Sequence, residues 1–372
     1  MTEARCGALV ALLLSLGTSA PAAEPEALYD QGRYAEACPL LEQRVSGGRT
    51  TGPLLYRLFY CQQWSNAPTS QQTLERAREQ LEAELSGAAG LETPFYLANA
   101  YSNLGRTADA KRVAADATQR IESGQWPKPV AGVDQFRLGK LYADQERPEE
   151  ALAAYDAALT AFAAEPDPPR PYVKWAARYV AERAYAAKDW ERAAHGYSQL
   201  LAEGQGTQDE YDRFASSQAR LGHWQQAGAA WNKSELANPG EGDRARYCKN
   251  LMMRAAELPS LPAATPEGRS FSTLSQAELE TVMSDQAKVV RETIQQAQEA
   301  PKLKKKQRRE MQARLDAARP LFVAAALEYA LQGYSLRETA FAGGYAPLIF
   351  RPAAWELPPP TSGRRDPPAP GA

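Results

Sequence analysis

The stretch Gly222-His223-Trp224-Gln225-Gln226-Ala227 joins two apolar segments through a glycine, an aromatic residue and, three residues after the aromatic, an alanine. The same arrangement recurs upstream, and the last two anchoring alanines are 34 residues apart. The anchoring alanines are Ala37, Ala110, Ala151, Ala193 and Ala227. A recurring unit of this length indicates a repeated helix pair.

The other gaps between these alanines fit the same period. The gaps of 41 and 42 residues each contain a proline-rich insert, at 125–129 and 165–171. The gap of 73 residues has room for one degenerate unit, whose helices we predict over 54–63 and 71–85. Glycines such as Gly32 can take the positive φ that ends a first helix, and the alanines let paired helices approach closely.

These repeats, over about residues 28–240, resemble the tetratricopeptide repeat (TPR) family. The pattern has departures: Glu146 and Lys188 replace the turn glycine, and Thr107 replaces the aromatic residue. The resemblance implies an all-α fold, a TPR-like right-handed helical solenoid, because each helix pair must stack on its neighbours to bury its apolar face. A C-terminal helical hairpin is predicted to follow this solenoid.

The resemblance also implies a concave groove lined by first-helix residues. Three cations in this set could grip a carboxylate or an acidic peptide, and two asparagines could bond its backbone. The candidate groove residues are Asn99, Asn103, Lys140, Arg178, Tyr185 and Arg220. The match to a carboxylate clamp is partial, since Phe95 stands where such a clamp has lysine. An ordinary solvated groove is the alternative.

We predict five segments along the chain. A signal peptide covers 1–22, a TPR-like helical repeat domain 23–258 and a linker 259–270. A C-terminal helical hairpin with an aromatic extended segment covers 271–357, and a disordered tail covers 358–372. The tail is rich in proline and glycine and has no core-forming residues.

The beginning of the chain has the pattern of an export signal. A short apolar run over 6–17 precedes Ala20-Pro21-Ala22, which fits a cleavage site. The run is too short for a transmembrane helix. We therefore expect an exported protein, periplasmic or associated with the cell envelope, and an uncleaved anchor is the alternative.

Three cysteines remain after such a cleavage. An exported protein meets an oxidising compartment, which permits a disulfide. Cys38 and Cys61 are expected on neighbouring helices and are the best pair, which leaves Cys248 over. The alternative is three small buried hydrophobic residues.

The C-terminal third carries signals for two long helices. Ser275-Gln276-Ala277-Glu278 is a capping box that opens a helix to about Ala300. The second helix is predicted to run to Leu331 and to end at Gly333, so that the two form an antiparallel hairpin. A short helix ending at Gly343-Gly344 and an aromatic extended strip are predicted to follow.

A basic segment begins the second of these helices. Its six cations have no acidic residue among them: Lys302, Lys304, Lys305, Lys306, Arg308 and Arg309. Three interpretations remain open: a solvated helix start, contact with anionic lipid headgroups, or contact with an acidic partner.

Charge and motif content narrow the classes of function. With 43 Lys and Arg against 45 Asp and Glu the net charge is −2, which argues against a nucleic-acid partner. The chain has two histidines and none of the common phosphate-binding, zinc-protease or serine-hydrolase motifs. We expect no cofactor, no metal site and no catalytic residues.

Three hypotheses for the function follow. The first is a non-catalytic protein–protein interaction scaffold of the bacterial cell envelope that binds a peptide or protein partner in the repeat groove. The alternative is a membrane-surface accessory protein that contacts anionic lipid through the basic segment. The third is an enzyme with its site in 260–357.

Overall fold

The computed structural model describes residues 24–48, 50–239, 243–300 and 303–359. The predicted signal peptide lies outside the described residues, as does nearly all of the predicted tail. Throughout the described part the regular elements are helices, with one isolated antiparallel bridge between Ala264 and Ser270. The prediction of an all-α fold is confirmed. No described helix has the length and apolar content needed to cross a membrane.

The chain divides into two compact units, Met1–Tyr172 and Val173–Ala372. The helices of unit 1 are α1 (Pro25–Asp30), α2 (Tyr34–Ser46), α3 (Gly52–Trp64), α4 (Ser70–Leu85), α5 (Glu92–Asn103), α6 (Thr107–Glu122), α7 (Gly132–Asp144) and α8 (Pro148–Ala163). The boundary falls within α9 (Arg170–Ala186). Unit 2 continues with α10 (Trp190–Leu200), α11 (Gln208–Arg220), α12 (Trp224–Ala237), α13 (Asp243–Ala256), α14 (Gln276–Glu299), α15 (Lys305–Leu331), α16 (Leu336–Ala342) and α17 (Ala346–Phe350).

Unit 1 is a stack of four helix pairs. Each helix from α1 to α7 packs against the next one in the chain, and first helices also touch the first helix of the following pair. Ala37 and Ala151 at the predicted close approaches are fully buried. Glu146, which replaces the turn glycine, adopts a φ of 61°. The degenerate unit predicted between residues 53 and 86 is present as α3 and α4.

The first helix of unit 1 meets the end of the same unit. Gln31 Nε2 donates to Asp167 Oδ2 over 2.8 Å, and Tyr172 Oη donates to Asp30 Oδ1 over 3.1 Å. Gly32 has a φ of 77°, and a Cβ there would approach Pro171 to 2.9 Å. Glycine is needed at this turn for both reasons.

A disulfide joins Cys38 of α2 to Cys61 of α3, the pair that the sequence favours. The two Cα atoms are 5.5 Å apart, which is an ordinary spacing for a bridged pair. Cys248 is a free and fully buried thiol in the core of unit 2. Burial raises the pKa of Cys248 to about 12, so the thiol is protonated at neutral pH.

The hairpin of α14 and α15 is present as predicted, with the capping box of Ser275 and Glu278 at its start. Gln276 Nε2 donates to Tyr329 Oη over 3.1 Å, which places the start of α14 beside the end of α15. Arg269 and Ser275 lower the pKa of Glu278 to about 2, so the cap carboxylate is ionised at neutral pH.

The hairpin does not form a separate body. One hydrophobic core runs from Ala215 on α11 through Leu251 on α13 to Phe322 on α15. The segment predicted as a linker, 259–270, is folded onto this core. Within it Thr265 is buried, and its N–H donates to Arg269 O over 2.8 Å.

The prediction of an extended aromatic strip after Gly344 is wrong. The chain forms α17 and a 3₁₀ turn, Pro352–Trp355, instead. Pro347 stands in the first turn of α17, where its missing N–H costs no hydrogen bond. Trp355 is buried, and its Nε1 donates to Leu348 O over 2.9 Å, which closes these turns on each other.

Candidate functional site

The inner face of unit 1 is filled by its own aromatic side chains. Tyr56 and Tyr96 have ring centroids 5.2 Å apart, and Phe136 stacks on Tyr172 at 4.6 Å. Phe95, expected to line the groove, is only 6% exposed. Bulky aromatic residues on successive first helices therefore pack against one another along this face, and Phe95 is part of that packing.

The predicted groove residues of unit 1 are engaged within the chain. Asn103 Nδ2 donates to Tyr56 Oη over 3.0 Å and to Asn99 O over 2.9 Å. Lys140 forms an ion pair with Asp144 one turn along α7. The Asn99 side chain is half-buried. Asn103 and Lys140 therefore have partners within the chain.

Two buried arginines in unit 1 were missed from the sequence. Arg57 and Arg137 both donate to Glu92 Oε1, over 3.1 and 3.0 Å. The Arg57 guanidinium lies 4.9 Å from the centroid of the Tyr96 ring. Arg57 lies inside the apolar run of α3, and a charged residue in such a run is the sequence feature that indicates a buried arginine. The shared carboxylate makes this cluster a structural network, because buried charges require partners.

In unit 2, Arg178 is a crosslink between helices. Its Nη2 donates to Glu210 Oε1 over 2.8 Å, and the same glutamate caps α11 by accepting from Thr207 N. Burial opposes ionisation, but the bonds from Thr207 and Arg178 outweigh it and lower the pKa of Glu210. Tyr185 packs edge-on against Trp190 at 5.5 Å. These two predicted groove residues also have partners within unit 2.

Arg220, predicted as a groove cation, is paired with a carboxylate of the same chain. Its two terminal nitrogens bond both carboxylate oxygens of Glu328 on α15, at 2.5 and 3.0 Å. Glu328 is 7% exposed, and Gln332 Nε2 also donates to it over 3.1 Å. A buried carboxylate requires such a partner, so this pair ties α11 to the hairpin.

The ion pair lies in an open cleft of about 460 Å³. Three segments line it: the end of α11 with the turn into α12, the folded stretch around residues 261–272, and α15. The apolar lining residues include Leu221, Trp224, Leu261, Phe271, Leu327 and Leu331. The hydroxyls of Ser270 and Ser272, 3.0 Å apart, supply polar groups at its edge. Apolar walls with a few placed polar groups are typical of ligand-binding clefts.

The basic segment lies at the start of α15, and Lys302 is outside the described residues. Lys304, Lys305, Lys306 and Arg309 are exposed. Arg308 is half-buried, and its Nη2 donates to Pro358 O over 2.7 Å. Four of the predicted cations therefore face solvent, and the fifth holds the last described turn.

The described ranges contain no group of three or more His, Cys, Asp or Glu side chains arranged to hold a metal ion. His195 lies on α10, where its ring contacts Gln199, and His223 precedes α12, where its ring contacts Gln218. The two histidines therefore have separate neighbours.

No model of a known protein family and no curated protein sequence matches the chain. Solved structures that it resembles are TPR proteins. The fold is TPR-like. The C-terminal part of a TPR repeat-containing protein of Cytophaga hutchinsonii is 16% identical, with 60% of this chain and 97% of that chain covered and a TM-score of 0.25. A tetratricopeptide repeat protein of Parabacteroides merdae is 15% identical, with 62% and 96% covered and a TM-score of 0.27.

A further resemblance is to the TPR2AB domain of yeast Sti1 in its pHSP90 complex. The identity is 14%, with 76% of this chain and 93% of that chain covered and a TM-score of 0.20. These scores give no residue-by-residue correspondence. The description as a TPR-like array rests on the helix pairs, their buried alanines and their positive-φ turns.

Proposed function

We propose that this TPR-like protein is a non-catalytic interaction scaffold of the bacterial cell envelope that binds a peptide or protein partner. The observation that carries this proposal is the open cleft around Arg220 and Glu328. The apparent export signal is the basis for an envelope, periplasmic location. N-terminal sequencing of the chain from an envelope fraction tests that location, and retention of residues 1–22 contradicts the cleavage.

The cleft suits an extended peptide segment. Apolar walls from Leu261, Phe271 and Leu327 can take an apolar side chain out of water. The hydroxyls of Ser270 and Ser272 can bond a peptide backbone that would otherwise enter the cleft unsatisfied. Since Glu328 already balances Arg220, we expect an uncharged or weakly charged segment at this point.

The test is capture of partners from an envelope extract with the chain lacking residues 1–22 (the mature chain) and with variants of it. Ala263→Trp and Ser272→Trp fill the cleft from exposed positions, and circular dichroism checks that both variants fold. Ala187→Trp, at an exposed turn after α9, is the matched control. We expect both cleft variants to reduce capture at least about tenfold and the control to retain it.

A double variant separates this cleft from the groove predicted from the sequence. Lys140→Glu with Arg178→Glu reverses two cations that already have partners within the chain. We expect this variant to keep the partner, because neither cation is free to bind it. If both tryptophan variants of the cleft retain the partner, the proposal is contradicted. If the double variant loses the partner, the groove predicted from the sequence is supported instead.

A second candidate function is contact with an anionic membrane surface. The observation that favours it is the exposure of Lys304, Lys305, Lys306 and Arg309 at one end of α15. Each cation near such a surface contributes about 1 kcal/mol. Flotation with vesicles containing anionic lipid tests it: binding should be lost at high salt and in Lys305→Glu with Lys306→Glu, and unaltered flotation of that variant contradicts it.

A further inference from the structure

A second cleft of unit 2, of about 320 Å³, lies between α14 and the turns that end the described chain. Its walls are mainly aliphatic, from Ala287, Val290, Ile294, Pro347, Leu348 and Ala354. Val290 and Leu348 belong to the buried core, whereas Pro347 is exposed at the opening. The cleft therefore reaches from solvent down to the core of the hairpin.

One cation stands at the edge of this cleft. Arg291 is exposed, and its Nη1 donates to the carbonyl oxygen of Gly343 over 3.1 Å. In the described part of the chain no acidic side chain comes within ion-pair distance of it. Glu292, the next residue on α14, lies 4.0 Å from the ammonium of Lys288 instead. The positive charge at the rim is thus left without an internal counter-charge.

The basic segment lies at the same end of the hairpin. Ala354 forms part of the cleft wall, and the residues just after it are bonded to the first turns of α15. Gln312 Nε2 donates to Trp355 O over 3.4 Å, and Arg308 Nη2 donates to Leu357 O over 3.3 Å. The exposed lysines that precede Arg308 extend the positive charge beyond the rim.

An acidic depression adjoins the cleft at Gly343, on the side away from the basic segment, and carries Glu280 and Glu338. Arg291, which bonds the carbonyl oxygen of Gly343, lies between this depression and the basic segment. An anionic group would be repelled there and attracted toward Arg291 and the start of α15. The cleft therefore has an apolar interior with a positive and a negative end.

We propose that this second cleft binds the acyl chain of a single-chain anionic amphiphile, such as a fatty acid, with its head group toward Arg291 and the basic segment. Aliphatic walls remove methylene groups from water without requiring hydrogen bonds. A peptide would bring backbone polar groups, for which this cleft offers only the side chains of Arg291, Gln295 and Gln298 at its rim. The site is separate from the peptide cleft.

The test is titration of the mature chain with soluble fatty acids, followed by calorimetry. Affinity should rise roughly tenfold for every two methylenes from octanoate to dodecanoate, because each buried methylene contributes similarly. Dodecyltrimethylammonium, with the same chain and a cationic head, should bind at least about fivefold more weakly than dodecanoate. Equal affinity along the acid series, or no binding of dodecanoate below about 1 mM, overturns the proposal.

Two variants locate the site. Arg291→Glu should weaken dodecanoate about five- to tenfold, and Arg314→Glu, an exposed cation on α15 outside the cleft, should leave it unchanged. Ala354→Trp occupies the cleft and should abolish binding, with helicity measured to show that it folds. Wild-type affinity in a folded Ala354→Trp variant, or equal effects of the two arginine variants, contradicts the assignment.

Vesicles containing anionic phosphatidylglycerol distinguish a free amphiphile from a lipid surface. The double variant Lys305→Glu with Lys306→Glu should lose less than tenfold in affinity for soluble dodecanoate relative to the wild type. The aliphatic contacts of the acyl chain are unchanged in this variant. If the protein floats with these vesicles but does not bind soluble dodecanoate, the contact is with the membrane surface and the proposal is overturned.

Discussion

The pair of Arg220 and Glu328 gives a sharp prediction, because the two partners are exposed to different extents. The Arg220 side chain is 23% exposed and that of Glu328 only 9%. Arg220→Met leaves the carboxylate buried with Gln332 as its remaining side-chain donor. Glu328→Leu leaves an arginine that can turn toward water. The first variant should therefore cost more stability than the second.

The magnitudes follow from burial. Removing one partner of a fully buried pair costs about 3–5 kcal/mol, and the partial exposure of Arg220 puts Arg220→Met near about 3 kcal/mol. Glu328→Leu should cost about 1–2 kcal/mol, because the freed guanidinium is rehydrated. The double variant replaces the pair by apolar side chains and should cost about 1 kcal/mol or less. The resulting coupling energy is about 3–5 kcal/mol.

Urea and thermal unfolding followed by circular dichroism measure these values. For a unit of this size, about 3 kcal/mol lowers Tm by roughly 6–12 °C. Arg178→Met is the matched control, since its pair with Glu210 is 48% exposed on the arginine side and should contribute at most about 1 kcal/mol. The idea that the ion pair of Arg220 and Glu328 ties α11 to the hairpin is refuted by a coupling energy below about 0.5 kcal/mol. Equal losses of unfolding free energy in Arg220→Met and Arg178→Met also refute it.

Three further predictions concern the cysteines and one carboxyl group. Changing Cys38 and Cys61 to serine opens the disulfide and should destabilise unit 1 by about 3 kcal/mol, measured as the shift of its urea midpoint under non-reducing conditions; an unchanged midpoint contradicts it. Cys248 is fully buried and its pKa is raised to about 12, so a thiol reagent at pH 8 should label it only after unfolding; rapid labelling of the native chain contradicts the burial. Burial raises the pKa of Asp212 in the folded protein. The protonated carboxyl therefore favours the folded state fully below the pKa of the unfolded chain, and this contribution to stability is lost as pH rises through the folded pKa. Asp212→Asn should therefore be more stable than the wild type at pH 7 but not at pH 3, and a pH-independent difference contradicts this.

Local chemistry made the helix pairs predictable. The alanine at each close approach, the positive-φ turn and the capping box at Ser275 act over a few residues, and each is visible in the sequence. Glu146 at a φ of 61° shows that the turn geometry persists where glycine is absent. The degenerate pair α3 and α4 could be predicted from the period alone.

The partners of the candidate site residues could not be predicted in the same way. Arg220 and Glu328 are 108 residues apart, and no periodicity relates them. A cation on a first helix occupies the same position in the repeat whether it faces a ligand or a carboxylate of the same chain. The predicted extended strip is helical instead, because Pro347 suits a helix start and the bond from Trp355 Nε1 to Leu348 O closes the turns on each other.

The two proposed clefts of unit 2 lie at different positions along the hairpin of α14 and α15. Glu328 belongs to the first cleft, beside Tyr329, which Gln276 at the start of α14 bonds. Arg291 of the second cleft lies 15 residues further along α14, which is about 22 Å at 1.5 Å per residue. That distance exceeds the Debye length of about 8 Å at physiological ionic strength, so charge placed in one cleft has little direct effect on the other. Because the helix between them is packed into one continuous core, a ligand could couple the clefts only by moving that core. We therefore expect dodecanoate to leave peptide capture unchanged, and the two ligands to bind one chain independently.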